Sequence, residues 1–404
     1  MTGRPTFARV DLDALARNFR TLAGFVASGR AAAGRPVPGV IGVVKANAYG
    51  HGAVTVGLSL ERAGASMLAC ADIAEGVTLR AGGVTVPILI FGALSVGDVE
   101  GIFEYGLTPT VSTPSAAKTL AAAATRRGVR LTCHLKIDTG MNRLGFRHDQ
   151  LDRTMPPLAA SPSLAIEGVY THFATADVPD DPLFGEQRTR FEAARRTLAR
   201  LGIHPRVTHM ANSAAMLRDE RVWFDYVRPG LLLYGLVPPP LATTLPLEPV
   251  MSLSSKIVSV KGVRPGEGVS YGMKFRTDVP RRIAVVPAGY ADGIDTRCGN
   301  RGVVLVRGRR VPIVGAVCMD MMMIDVTDVD VEPGDDVVIV GQQGSERLDV
   351  REIAATIGAI PWELLCRVGS RIERVYAGPG TGGAGRGEIE ANRRSGTGTP
   401  ARSQ

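Results

Sequence analysis

Aromatic residues make up only 5% of this 404-residue chain, so the stacking platforms that nucleic-acid binders use are scarce. Cysteines are also few. The five (Cys70, Cys133, Cys298, Cys318 and Cys366) are odd in number and scattered, with no C-x-x-C pair. That argues against a disulfide framework or a metal site and for a reducing compartment. No apolar run approaches the length of a membrane span, and the first residues, Met1-Thr2-Gly3-Arg4-Pro5-Thr6-Phe7, lack the apolar core of a signal peptide. A cytoplasmic protein with no membrane or nucleic-acid partner is expected. The net charge is +8, but the arginines are dispersed among acids, with no basic block longer than Arg307-Gly308-Arg309-Arg310. The excess reads as solvation.

Lysine is scarce in a chain rich in arginine. Of 47 basic residues only six are lysines, at 45, 118, 136, 256, 261 and 274. Where arginine supplies ordinary surface charge, a retained lysine points to a need for an amine that can lose its proton. Lys45 follows the apolar run Val40-Ile41-Gly42-Val43-Val44 and leads into Ala46-Asn47-Ala48-Tyr49-Gly50-His51-Gly52. The run reads as a buried parallel strand. An amine at its C-terminal end is either a lysine snorkelling out of a strand or, if partly desolvated, a nucleophile able to form a Schiff base.

Along the chain, apolar runs at 40–44, 69–72, 88–91, 108–112, 131–138, 166–172, 206–210 and 227–233 alternate with helical patterns at 13–25, 95–104, 114–127, 184–201 and 213–220. Eight strands with interleaved helices predict a (β/α)8 barrel over 1–241, with function at the C-terminal strand ends. After Pro238-Pro239-Pro240 the runs become β-branched and alternating, separated by turns such as Glu332-Pro333-Gly334-Asp335. This predicts a mainly β domain over 242–377, with one helix near 350–360 and a last strand near 371–376. The Gly-rich stretch that opens 378–404 predicts a disordered tail.

The polar residues at the strand ends suggest a site. Arg143 lies just past a strand in Lys136-Ile137-Asp138-Thr139-Gly140-Met141-Asn142-Arg143, where it could fix a carboxylate or a phenolate oxygen. His172 ends another strand. Asn212 or Ser213 can cap the helix that follows His209-Met210-Ala211, a position that suits a phosphate. Arg228-Pro229-Gly230-Leu231 offers an arginine and bare backbone. A Schiff-base lysine, a phosphate cradle and arginines in one barrel mouth suit a cofactor with an aldehyde, a phosphate and a ring. Pyridoxal 5'-phosphate has all three.

On these segments, together with Val269-Ser270-Tyr271-Gly272, Gly289-Tyr290-Ala291-Asp292-Gly293 and Val317-Cys318-Met319-Asp320, the chain resembles the alanine racemases over about residues 5–377. The resemblance implies a pyridoxal-phosphate isomerase that interconverts L- and D-alanine and supplies D-alanine for peptidoglycan. It implies that Lys45 carries the cofactor and serves as one base, with Tyr271 as the opposite base. Tyr49, Ser213, Gly230, Leu231 and Tyr376 would contact the phosphate, with Asn212 beside them. Arg228 would face the pyridine nitrogen with His172 behind it, and their charge would act on Tyr271. Arg143 would meet the ring oxygen and the substrate carboxylate, and Met319 would offer a backbone contact to the substrate. Lys136 matches a lysine carbamylated in several members. The resemblance also implies a homodimer in which Tyr271 and Met319 serve the partner's lysine.

Two departures concern the entry corridor. Ala316 stands where many relatives carry an arginine, and 292–297 is one residue longer than usual, so Arg297 receives no gating role; Asp177 is expected at the entrance. The competing readings are a racemase of serine or basic amino acids and, from another class, a non-catalytic pyridoxal-phosphate carrier. A decarboxylase of the same architecture needs a Gly-Gly-Gly phosphate loop that is absent here. A carrier has no use for the β domain and its second base.

Overall fold

The computed structural model describes residues 4–92 and 99–378. The start of the helix expected at 95–104 and nearly all of the expected tail lie outside them. Two compact units are present, Leu15–Pro249 and a second formed by the residues up to Ala14 with those from Val250 onward.

In the first unit, eight strands each pair in parallel with the next: Gly39–Val43, Met67–Cys70, Ile88–Ile90, Thr108–Val111, Leu131–Asp138, Leu164–Tyr170, Val207–Asn212 and Tyr226–Arg228. The last pairs back onto the first, closing the barrel. Met67–Cys70 and Ile88–Ile90 are buried at every residue, as strands covered on both faces must be. The crossover helices start where capping chemistry places them. Asp72 accepts the Glu75 amide at the head of Ile73–Ala81. Thr113 accepts the Ala116 amide ahead of Pro114–Arg126, with proline at the first helical position.

Several elements depart from the expectation. The strand expected over 227–233 stops at Arg228, because Pro229 cannot donate to the ladder; the chain continues as a 3-10 turn over Leu231–Tyr234. Helices Ala53–Ala63 and Ile73–Ala81 complete crossovers that the sequence pattern left unassigned.

The second unit is a mostly antiparallel sheet. Met251–Lys256, Ser259–Val263, Arg281–Val286, Val303–Val306, Arg309–Val314, Met322–Asp325 and Asp336–Gln343 supply most of it, with helix Val350–Ile357. Phe7–Asp11 belongs here and not with the barrel. It pairs antiparallel with Met251–Lys256 and parallel with Glu373–Ala377.

Candidate active site

Lys45 stands two residues beyond the end of the first barrel strand at Val43, and the four residues after it form a left-handed turn. Ala46, Asn47, Ala48 and Tyr49 have φ of 53°, 54°, 54° and 52°. Each L-residue in this region costs about 1–2 kcal/mol, so the turn exists only because its surroundings hold it. Glu75 provides one clamp. Its two carboxylate oxygens accept the amides of Ala46 and Ala71, both at 2.7 Å. Asn47 provides another, its side-chain oxygen accepting the Ala53 amide at 2.7 Å. The His51 ring then donates from Nδ1 to the Ala48 carbonyl at 2.9 Å.

Across the barrel mouth, Asn212 and Ser213 divide two tasks. Asn212 caps the short helix Ser213–Arg218, accepting the Ala215 amide at 2.9 Å. The buried Ser213 hydroxyl instead accepts the amides of Gly230, at 3.0 Å, and Leu232, at 3.4 Å. A hydroxyl that accepts twice keeps its own proton to give. Gly230 sits against Tyr49: a Cβ there would stand 2.7 Å from the phenol oxygen. Leu231 opens the 3-10 turn that follows.

Arg228, 3% exposed, is the hub of the interior. Its Nη1 lies 3.0 Å from His209 Nδ1, and its Nη2 lies 2.9 Å from the Thr171 carbonyl, 3.1 Å from that of Met210 and 3.3 Å from His172 Nδ1. A guanidinium only donates, so both histidines present a bare nitrogen to it. Burial, followed by the charges of Arg228, Lys136, Arg143 and Lys45, holds His172 well below its ordinary range. Burial and the neighbouring arginines also push the Lys136 amine down to about 8. Arg143 is exposed on the loop after its strand, and Asp177 is half-buried on the loop after Leu164–Tyr170.

In the second unit, Tyr271 is 77% exposed. It follows Ser270, whose backbone has φ 66° and whose hydroxyl donates to the Ala316 carbonyl at 2.8 Å. Met319 is exposed, but its carbonyl is held by the Ala291 amide at 3.1 Å and by Arg371 Nη2 at 3.3 Å. Gly289 lies directly behind it: a Cβ there would stand 2.3 Å from the Met319 oxygen. Beneath this loop the buried Asp292 carboxylate meets Arg371 at 2.7 Å and Arg4 at 2.9 Å. Arg297 is engaged by Asp295 through Nε and Nη2 at 2.9 and 2.8 Å. Tyr376 lies on the last strand, in register with Val10.

Lys45, Tyr49, Lys136, Arg143, His172, Asn212, Ser213, Arg228, Gly230 and Leu231 thus belong to the barrel unit. Tyr271, Met319 and Tyr376 belong to the other. Sequence reasoning missed Glu75 and His134. His134 left a signal, since it lies two residues before Lys136 on the same strand and so shares its face.

The family model for the alanine racemase N-terminal domain matches residues 10–238, and that for the C-terminal domain matches residues 250–376. An alanine racemase of Symbiobacterium thermophilum is 39% identical over 93% of this chain and 98% of its own length. The crystal structure of alanine racemase from Bacillus anthracis with bound L-Ala-P aligns with a TM-score of 0.86 at 36% identity, covering 94% of this chain and 97% of that one. The enzyme from Bartonella henselae, described with covalently bound pyridoxal phosphate, aligns at 0.81 and 28% identity, covering 92% and 99%. Matched in both units and over nearly its whole described length, the chain belongs to the alanine racemase family.

Proposed function

We propose that this chain interconverts L-alanine and D-alanine with pyridoxal 5'-phosphate held at the barrel mouth, supplying D-alanine for peptidoglycan, and that it works as a homodimer. The observation that carries this reading is the buried Arg228 held against His172 at the barrel strand ends, beside a serine with a proton to donate and a glycine whose missing Cβ leaves room. An anionic cofactor with a phosphate, a ring oxygen and an aldehyde fits that set. When bound, pyridoxal phosphate supplies an electron sink that acidifies the substrate's α-proton.

The protein's own residues do the rest. Ser213 donates to a phosphate oxygen while the Gly230 and Leu232 amides fix its hydroxyl. Tyr49 stands beside that cradle with Leu231; Asn212 keeps the helix start in place, and Tyr376 adds a contact. Arg228 faces the ring nitrogen, with His172 behind it, and cannot readily give up a proton. Arg143 binds the ring oxygen and the substrate carboxylate. Lys45 Nζ holds the cofactor and exchanges the α-proton on one face; the Tyr271 phenol of the partner subunit does so on the other. Two bases on opposite faces invert the centre without turning the substrate. Met319 offers its backbone to the substrate from the same side as Tyr271. Lys136 keeps a neutral fraction near neutrality. That amine attacks the carbon of carbon dioxide: an N–C bond forms, one C=O π bond breaks with its pair going to oxygen, the nitrogen gives a proton to solvent, and the resulting carbamate would orient Arg143.

The test is α-deuterium exchange of L-alanine, L-serine and L-lysine in heavy water with chiral product analysis, in the wild type and in Tyr271→Phe. The expected result is preference for alanine, formation of its D-form, and loss of exchange from the L side in Tyr271→Phe. Preference for another amino acid would overturn the substrate, and unchanged L-side exchange in Tyr271→Phe would overturn the second base.

A further inference from the structure

Behind Arg228 lies a second histidine layer to which the proposed reaction gives no task. His134 Nδ1 is 2.9 Å from His209 Nε2, and both rings are completely buried. The protons on this chain can be placed by elimination. Arg228 Nη1 must donate, so His209 Nδ1 accepts. The proton of neutral His209 is then on Nε2, which donates to His134. His134 Nδ1 therefore accepts, and its own proton is on Nε2, a buried atom with no hydrogen-bond partner among the described residues. Burial holds His134 down to about 4 and His209 well below its ordinary range, so both rings are neutral and the order stands across the working pH range.

The surroundings leave the pair little freedom. Tyr170 stacks on His209, with centroids 4.7 Å apart and planes 12° from parallel. Its hydroxyl is tied to Thr110 at 2.9 Å. The backbone of Gly168 lies flat against the His134 ring: a Cβ there would stand 2.7 Å from three ring atoms. A buried N–H left without a partner carries a desolvation cost. Here the cost falls on the outermost member, which keeps every bond nearer to Arg228 intact.

We propose that His134 is a positioning residue for the racemase reaction. It accepts the His209 proton, locks that ring in the Nε2–H tautomer, and thereby keeps His209 Nδ1 as the acceptor that aims the Arg228 guanidinium at the cofactor ring. The inference rests on the role proposed above for Arg228. Without an acceptor at His134, the buried His209 proton has no partner and the other tautomer becomes competitive. That tautomer turns an N–H toward Arg228, so two donors face each other.

The experiment compares the wild-type holoenzyme with His134→Asn and His134→Leu. Asparagine places an acceptor where Nδ1 stands; leucine fills space without one. Three readouts are taken: the tautomer of His209 by 15N NMR, the cofactor's visible absorption, and kcat against KM. The wild type is expected to show His209 protonated on Nε2. In His134→Leu that signal is lost or mixed, the absorption band shifts, and kcat falls about tenfold with little change in KM. His134→Asn restores all three. A wild type protonated on His209 Nδ1 overturns the proposal, as do two variants with equal kcat and spectra. A wild type without cofactor absorption overturns the proposed function, and with it the role of Arg228. The histidine order is judged separately by the NMR, which does not need the cofactor.

Discussion

Glu75 accepts the amide of Ala46 at 2.7 Å, and Ala46 is the first of four consecutive L-residues in the left-handed region. The carboxylate thus holds the turn that follows Lys45, the residue proposed to hold the cofactor. Ala46 is exposed, so substitutions there report on the backbone with little packing change. Ala46→Gly should be neutral or slightly stabilising, because glycine enters this region freely. Ala46→Val should cost about 1–2 kcal/mol or more. Glu75→Gln should cost about 1–3 kcal/mol, because an amide nitrogen replaces one acceptor opposite a backbone donor. Urea midpoints of the three variants check the order. Equal midpoints for Ala46→Gly and Ala46→Val would mean that the turn is not left-handed in solution.

The barrel was readable because its strands are short apolar runs and the polar side chains proposed for its site end them. Lys45, His172 and Arg228 each follow or close such a run. Other parts were silent for physical reasons. Phe7–Asp11 is five residues long and finds both its partners more than two hundred residues later, so no local pattern could place it in the β unit. Glu75 looks like an ordinary first-turn helix acid, and only the fold brings it to the Ala46 amide. The choice between Asn212 and Ser213 as cap depended on where the Gly230 amide would be.

Gly230 leaves no space for a Cβ, which would stand 2.7 Å from the Tyr49 phenol oxygen. Gly230→Ala should displace Tyr49 and weaken cofactor binding about tenfold or more, which is about 1.4 kcal/mol. Fluorescence titration of the apoprotein with pyridoxal phosphate measures it. Adding Tyr49→Ala should ease the clash without restoring full affinity. An unchanged affinity in Gly230→Ala would remove this backbone from the proposed phosphate cradle.

Lys136 sets a pH dependence whose sign is fixed. Its folded value is lowered to about 8, against an ordinary lysine value near ~10.4. Between these values the unfolded chain binds a proton that the folded chain does not. Stability from this group therefore rises with pH across that window, by at most about 1.4 kcal/mol per unit, and the penalty is fully present below pH 8. With carbon dioxide excluded, the stability gap between Lys136→Met and wild type should narrow as pH rises from 8 to 10. A gap independent of pH would refute this. In 13C-labelled bicarbonate, a carbamate resonance should appear in the wild type and be missing from the variant.

Asp292 lies wholly buried between Arg4 and Arg371 and also accepts the Gly289 amide at 2.9 Å. Asp292→Asn removes the charge and leaves one acceptor for these donors. The expected loss is about 3–5 kcal/mol, seen as a lower urea midpoint, with the Met319 loop loosened and KM for alanine raised. A midpoint within experimental error of wild type would show that the two arginines are held by other groups.

The pairing of Phe7–Asp11 has a consequence for biosynthesis. This strand is made before the whole barrel, yet its neighbours Met251–Lys256 and Glu373–Ala377 are made after it. The barrel strands after Gly39–Val43, by contrast, each pair with the barrel strand made just before. The barrel can therefore assemble from neighbours already made, while Phe7–Asp11 waits with one edge open until Met251–Lys256 is made and with the other open until Glu373–Ala377 is made. Such edges are where nascent chains aggregate. A chain cut short before residue 373 keeps the pairing with Met251–Lys256 but leaves open the edge of Phe7–Asp11 that Glu373–Ala377 covers.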